Sequence, residues 1–98
     1  MPTLPPAIIP SSPWSVRHVR ALPDFRLAVE FLDGTAGTVD MMALILSPKA
    51  GVFAPLRDEA LFSMAYVDYG AVAWPGELDL APDAMYDEIK ARGEWILQ

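Results

Sequence analysis

Three carboxylates, Glu77, Asp79 and Asp83, fall close together in the stretch VAWPGELDLAPDAMY (Val72–Tyr86), just after Trp74. Two carboxyls can work as an acid–base or nucleophilic pair when a cleft holds them several ångströms apart and burial perturbs one of them. A hard cation needs six or more oxygens, usually from a loop with alternating ligand positions, and GELDLAPD lacks that alternation. Asp83 has a structural task instead, because it falls in the first turn of a helix and suits the positive helix end. Asp87 lies four residues after Asp83 and three before Lys90, which reads as an exposed helix surface. Glu77 and Asp79 have no such task. Together with Trp74 they form a candidate interaction surface, and a small ligand-binding or enzymatic corner is the alternative use of the same residues.

Other chemistry is thinly represented. His18 is the only histidine, and there is no cysteine. A catalytic histidine needs a nucleophile or a polarising partner, and no serine sits in a G-x-S-x-G elbow. Without thiols, disulfides, thiolate zinc sites and iron–sulfur clusters are excluded. The six glycines are scattered and form no phosphate-binding loop. No catalytic, metal-ligating or cofactor-binding residue is therefore assigned, and no cofactor is expected.

The elements that must carry these residues belong to a chain of 98 residues, enough for one core. Apolar residues make up 53% of it, which is ample for a packed interior. The net charge of −6 opposes direct binding to nucleic acid. Arg17, Arg20 and Arg26 make a local basic strip that reads as a solvated sheet face. The N-terminus lacks the features of a signal peptide, and the longest apolar run, MMALIL, is too short to span a bilayer. A soluble cytoplasmic protein is expected, with no membrane partner.

Residues 1–13 hold five of the ten prolines and read as an extended, polyproline-like arm, held by its own domain or a neighbouring chain. Residues 14–98 read as a single domain. Trp14–Leu22 predicts a strand with imperfect alternation. Pro23–Phe25 turns the chain into Arg26–Leu32, whose Leu27, Val29 and Phe31 share one face. A three-residue loop, Leu32-Asp33-Gly34, pairs Leu27 with Val39 and keeps the apolar face continuous. Asp40 is expected to cap a short helix from Met41 to about Leu46. Val52, Phe53 and Leu56 anchor a linker. Asp58 caps a second short helix, EALFSM. A hairpin turns at Tyr69-Gly70, and a last helix runs from Pro82 to about Arg92. Leu80 and Met85 have the spacing of a hydrophobic staple, and Gly93 suits the stop. Trp95, Ile96 and Leu97 form an apolar hook. The fold class is α+β: a small, mainly antiparallel meander sheet with two short helices and a C-terminal helix.

The segments LPDFRLAVEFLDG, GVFAPLRDEALF and VAWPGELDLAPDAMY, in that order and with VD (Val39-Asp40) between the first two, resemble the small bacterial proteins grouped as domain of unknown function 2442. The resemblance covers Trp14 to Tyr86. It implies a compact α+β domain with no accepted enzymatic activity and no known cofactor. Some members of the family precede a DNA-binding helix-turn-helix. Few residues follow Tyr86 here, so a DNA role is expected only through a partner. Other members are encoded beside a second small protein, in pairs suspected of being toxin–antitoxin-like. Ala81 stands where members often carry Ser or Asp as a helix cap, which implies a cap weaker by about 1 kcal/mol.

The expected function is a non-enzymatic protein–protein interaction module, with an antitoxin-like partner of a neighbouring small protein as its specific form. The candidate surface is Trp74, Glu77, Asp79 and Trp95. A homo-oligomeric structural protein is the further alternative: a homodimer is expected, with the arm and Trp95-Ile96-Leu97 reaching a twin subunit, and a small-molecule ligand is not.

Overall fold

A computed structural model of the chain describes residues 13–98. The proline arm, apart from Pro13, lies outside the described residues. The element order is β1 (Val16–Leu22), β2 (Arg26–Phe31), β3 (Ala36–Asp40), α1 (Met42–Ile45), a 3₁₀ helix (Gly51–Arg57), α2 (Glu59–Phe62), β4 (Tyr66–Asp68), β5 (Ala71–Trp74), β6 (Leu78–Leu80), α3 (Pro82–Arg92) and β7 (Glu94–Ile96). This is an α+β fold, but the strands divide between two sheets, ordered β1-β2-β3-β7 and β4-β5-β6. All pairs are antiparallel except β3 with β7.

The β2–β3 hairpin forms as its alternation requires. Leu27 pairs with Val39, the Phe31 N–H donates to the Thr35 carbonyl, and Gly34 takes the left-handed conformation at φ 90°. Leu27, Phe31 and Val39 are fully buried. The imperfect alternation of β1 has a physical origin: its register with β2 slips between Val16 and His18. The Val16 N–H then donates to the Gly70 carbonyl in the other sheet, so this irregularity joins the two sheets.

Four local expectations change. The first strand begins at Val16 rather than Trp14. Asp40 stands one residue before the cap of α1, which is Met41, although its carboxylate still accepts from the Met42 N–H at 3.1 Å. The linker around Phe53 is a 3₁₀ helix, in which Leu56 is buried but Val52 is exposed. Arg57 fastens that helix to α1, its guanidinium donating to the carbonyls of Ile45 and Ser47. The Ile45 carbonyl ends α1, so a cation there suits the negative helix end, while the Ser47 carbonyl also accepts from the Ala50 N–H. Finally, the apolar hook is β7, added to β3 in parallel register with Val39 beside Trp95.

The C-terminal helix spans Pro82–Arg92 as read, with Gly93 left-handed at its end and both Leu80 and Met85 buried. It crosses the inner face of the four-stranded sheet at Gly37, where a side chain would not fit. A Cβ there would lie 2.4 Å from the Gly93 carbonyl oxygen and 2.7 Å from Ile89. One apolar cluster runs under both sheets, from Val16 and Leu27 through Leu56 and Phe62 to Val72, Trp74 and Ile89.

The outer face of the four-stranded sheet carries no buried residue. Its register sets out two long rows, Arg20–Ala28–Thr38–Glu94 and Leu22–Arg26–Asp40–Ile96.

Candidate functional site

Trp74 ends β5, and Pro75-Gly76-Glu77 turns the chain into β6, with Trp74 opposite Leu78 and Ala73 opposite Asp79. Strand alternation then decides which way each residue points. Val72, Trp74 and Leu80 take the inner face and are buried. Tyr66, Asp68, Ala73 and Asp79 take the outer face. Trp74 is thus a correction to the candidate surface: it is fully buried and contributes only the floor of any site. Its indole N–H donates to the Phe62 carbonyl at 2.9 Å, and the rings of Phe53 and Phe62 pack against it. A tryptophan so placed satisfies its polar atom and buries its large apolar surface at once.

The outer face above Trp74 is concave. A depression of about 440 Å³ is lined by Tyr66, Asp68, Ala73, Trp74, Gly76, Glu77, Leu78 and Asp79. Ala73 is small and forms the base, while Tyr66, Asp68, Glu77 and Asp79 are exposed around it. Three of these wall residues are carboxylates, and none of the lining residues is Lys or Arg. Among the described residues, no group of three or more acidic or histidine side chains is disposed to hold a metal ion. Glu77 itself is held at φ 66°, a conformation unfavourable for a side chain with a Cβ by about 1 kcal/mol. Glu77 and Asp79, paired by the sequence reading, do share this depression. Tyr66 and Asp68 were missed; they reach it only because β4 pairs with β5.

Trp95 lies elsewhere. It sits in β7 on the inner face of the four-stranded sheet, half-buried against the core. His18 lies on the outer face of that sheet, opposite Glu30.

A second polar cluster sits at the β2–β3 loop. The Tyr86 hydroxyl donates to the Asp33 carboxylate at 2.6 Å, and the Thr35 N–H donates to the other Asp33 oxygen at 2.9 Å. Lys90 lies 3.6 Å from the same carboxylate and above the Tyr86 ring. The Tyr86 hydroxyl, and after it the Thr35 N–H, hold the Asp33 carboxyl well below the usual carboxylate range. The Tyr86 phenol, and then Asp33, raise the Lys90 ammonium. Every member is already used by another, so the cluster fastens α3 to the hairpin. Sequence reasoning assigned Asp33 to a turn and Lys90 to an exposed helix surface, and 53 residues separate Asp33 from Tyr86.

Two small sheets on one core, a C-terminal helix over the larger sheet and an acidic surface depression on the smaller define a small α+β protein. The chain belongs to the family described as Protein of unknown function (DUF2442), which matches residues 16–91. That match takes in β1 through nearly all of α3, the acidic depression and the Asp33–Tyr86 contact; Trp95 falls outside it. No curated protein and no solved structure matches the chain. No helix among the described residues is long and apolar enough to cross a membrane.

Proposed function

We propose that this chain is a non-enzymatic protein–protein interaction module that receives a basic segment of its partner in the acidic depression of the smaller sheet. The observation that carries this reading is the composition of the depression, where Asp68, Glu77 and Asp79 surround a small base with no Lys or Arg in the lining. A cationic side chain entering there would meet carboxylates on several sides and the Tyr66 ring beside them, a combination suited to Arg or Lys.

Catalysis has less behind it. A working carboxyl pair needs one member set apart by burial. Here Asp68, Glu77 and Asp79 are all solvent-exposed. The net charge of −6 favours a basic protein partner over nucleic acid. In its specific form the reading makes the chain the cytoplasmic, antitoxin-like half of a bacterial two-gene pair, masking a small basic neighbour.

The test is co-purification and calorimetric titration with the product of the adjacent gene. The native chain should bind at micromolar concentration or better. Asp68→Asn, Glu77→Gln and Asp79→Asn combined should weaken binding by roughly a hundredfold, taking about 1 kcal/mol per lost charge contact. No complex with the neighbour at micromolar concentration removes the antitoxin-like form. Full binding by the triple variant removes the acidic depression as the site.

A further inference from the structure

The outer face of the four-stranded sheet belongs to neither the core nor the acidic depression. None of its residues is buried, although it spans all four strands. Its centre is small, Ala28 beside Thr38, so nothing bulky prevents a second sheet from lying on it. Four of its charges are split across the sheet, Arg20 and Arg26 on β1 and β2 and Asp40 and Glu94 on β3 and β7, while Glu30 of β2 lies apart from them in the row of His18 and Ala36. The two ion pairs among the described residues, Lys90–Asp33 and Arg92–Glu88, use none of these four charges.

We propose that two copies of the chain pair through this face, sheet on sheet, about a twofold axis parallel to the strands and passing between β2 and β3. That axis reverses the strand order of the copy while keeping each row in place. The row Arg20–Ala28–Thr38–Glu94 then meets its own reverse, and Arg20 faces Glu94 of the other copy. In the next row Arg26 faces Asp40 of the other copy, and Leu22 faces Ile96, which is 50% exposed in the single chain. Ala28 and Thr38 meet across the centre. An interface of this kind is self-complementary, as a closed dimer requires. A twofold axis across the strands would instead lay each strand on its own copy, bringing the Arg20 and Arg26 strands together and the Asp40 and Glu94 strands together, which like charges disfavour. Sheets packed face to face keep their strands within about 30° of one another, which preserves these pairings. Four strands about 4.8 Å apart, of 7, 6, 5 and 3 residues, cover roughly 330 Å² of sheet on each copy. That is smaller than a standard specific interface, so the dimer should be weak and form only at high protein concentration.

This pairing is independent of the acidic depression, which lies on the other sheet. It is tested by sedimentation velocity of the full-length chain over a concentration series. The native chain should pass reversibly from one to two copies, and more weakly at high salt. Arg20→Glu and Glu94→Arg, each alone, should weaken the dimer by about tenfold or more, because each reversal occurs twice in a twofold interface. The double variant R20E/E94R should restore it, because the pair is re-formed with its signs exchanged. Circular dichroism confirms that each variant keeps its fold. Removal of residues 1–12 should leave the dimer intact. The proposal is overturned by a chain that stays single at every concentration, by a dimer indifferent to both reversals, by a double variant no better than the single ones, or by a dimer lost with residues 1–12.

Discussion

At the scale of single residues, the contact that most alters a side chain's chemistry is Tyr86 on Asp33. The carboxylate is held below its ordinary range by a hydroxyl and a backbone N–H, both of which donate to its charged form. A carboxyl depressed in the folded state contributes its full stability above its unfolded value, near 4. It loses that contribution as the pH falls below that value toward the folded one. Tyr86→Phe removes the larger cause. The variant should be less stable than the native chain at pH 7, and the gap should narrow as the pH falls below about 4. Urea unfolding at a series of pH values measures this, and a gap constant across the series would refute the linkage. Nothing local to DG or to MYDEIK announces the contact. Asp33 reads fully as a turn residue and Tyr86 as a helix residue, because each has a sufficient local reason for its type.

At the scale of elements, the readings that held were those with a strong local pattern. The apolar alternation of Leu27, Val29 and Phe31 permits only one hairpin register that buries all three, and that register is the one seen. Pro82, Met85 and Gly93 bound α3 through a permitted proline, a staple and a left-handed stop. Asp58 caps α2 by accepting from the Ala60 N–H. The weak element end is the start of α3, where Ala81 offers no side-chain cap. Ala81 already has the extended backbone of a capping residue, so a hydroxyl there would reach the Asp83 N–H, the Ala84 N–H being taken by the Asp83 carboxylate. Ala81→Ser should therefore raise stability by about 0.5–1 kcal/mol, read as a higher urea midpoint with an unchanged slope. The 3₁₀ helix escaped notice because Pro55 and Gly51 both signal loop, and its shape depends on Arg57 reaching back to α1. Strand β7 escaped for a related reason. Three residues carry too little periodicity to declare a strand, and pairing with β3 alone defines it.

At the scale of the whole molecule, both sheets and the three α-helices share one apolar cluster, and Trp74 sits within it. Unfolding should thus be a single cooperative event. Tryptophan fluorescence and far-ultraviolet circular dichroism should give coincident urea transitions, and two separated transitions would show that the smaller sheet unfolds by itself. The chain's composition and alternation were enough to determine the α+β class, the β2–β3 register, the hairpin at Tyr69-Gly70 and the limits of α3. Each of these depends on neighbours a few residues apart along the chain. The division into two sheets, the burial of Trp74 and the joining of Tyr66 and Asp68 to Glu77 and Asp79 were decided by tertiary structure alone. So was the placing of Arg20 and Arg26 across the outer face of the larger sheet from Asp40 and Glu94. All of these depend on which strand lies beside which, a long-range choice made when the shared core closes and not encoded in any one segment.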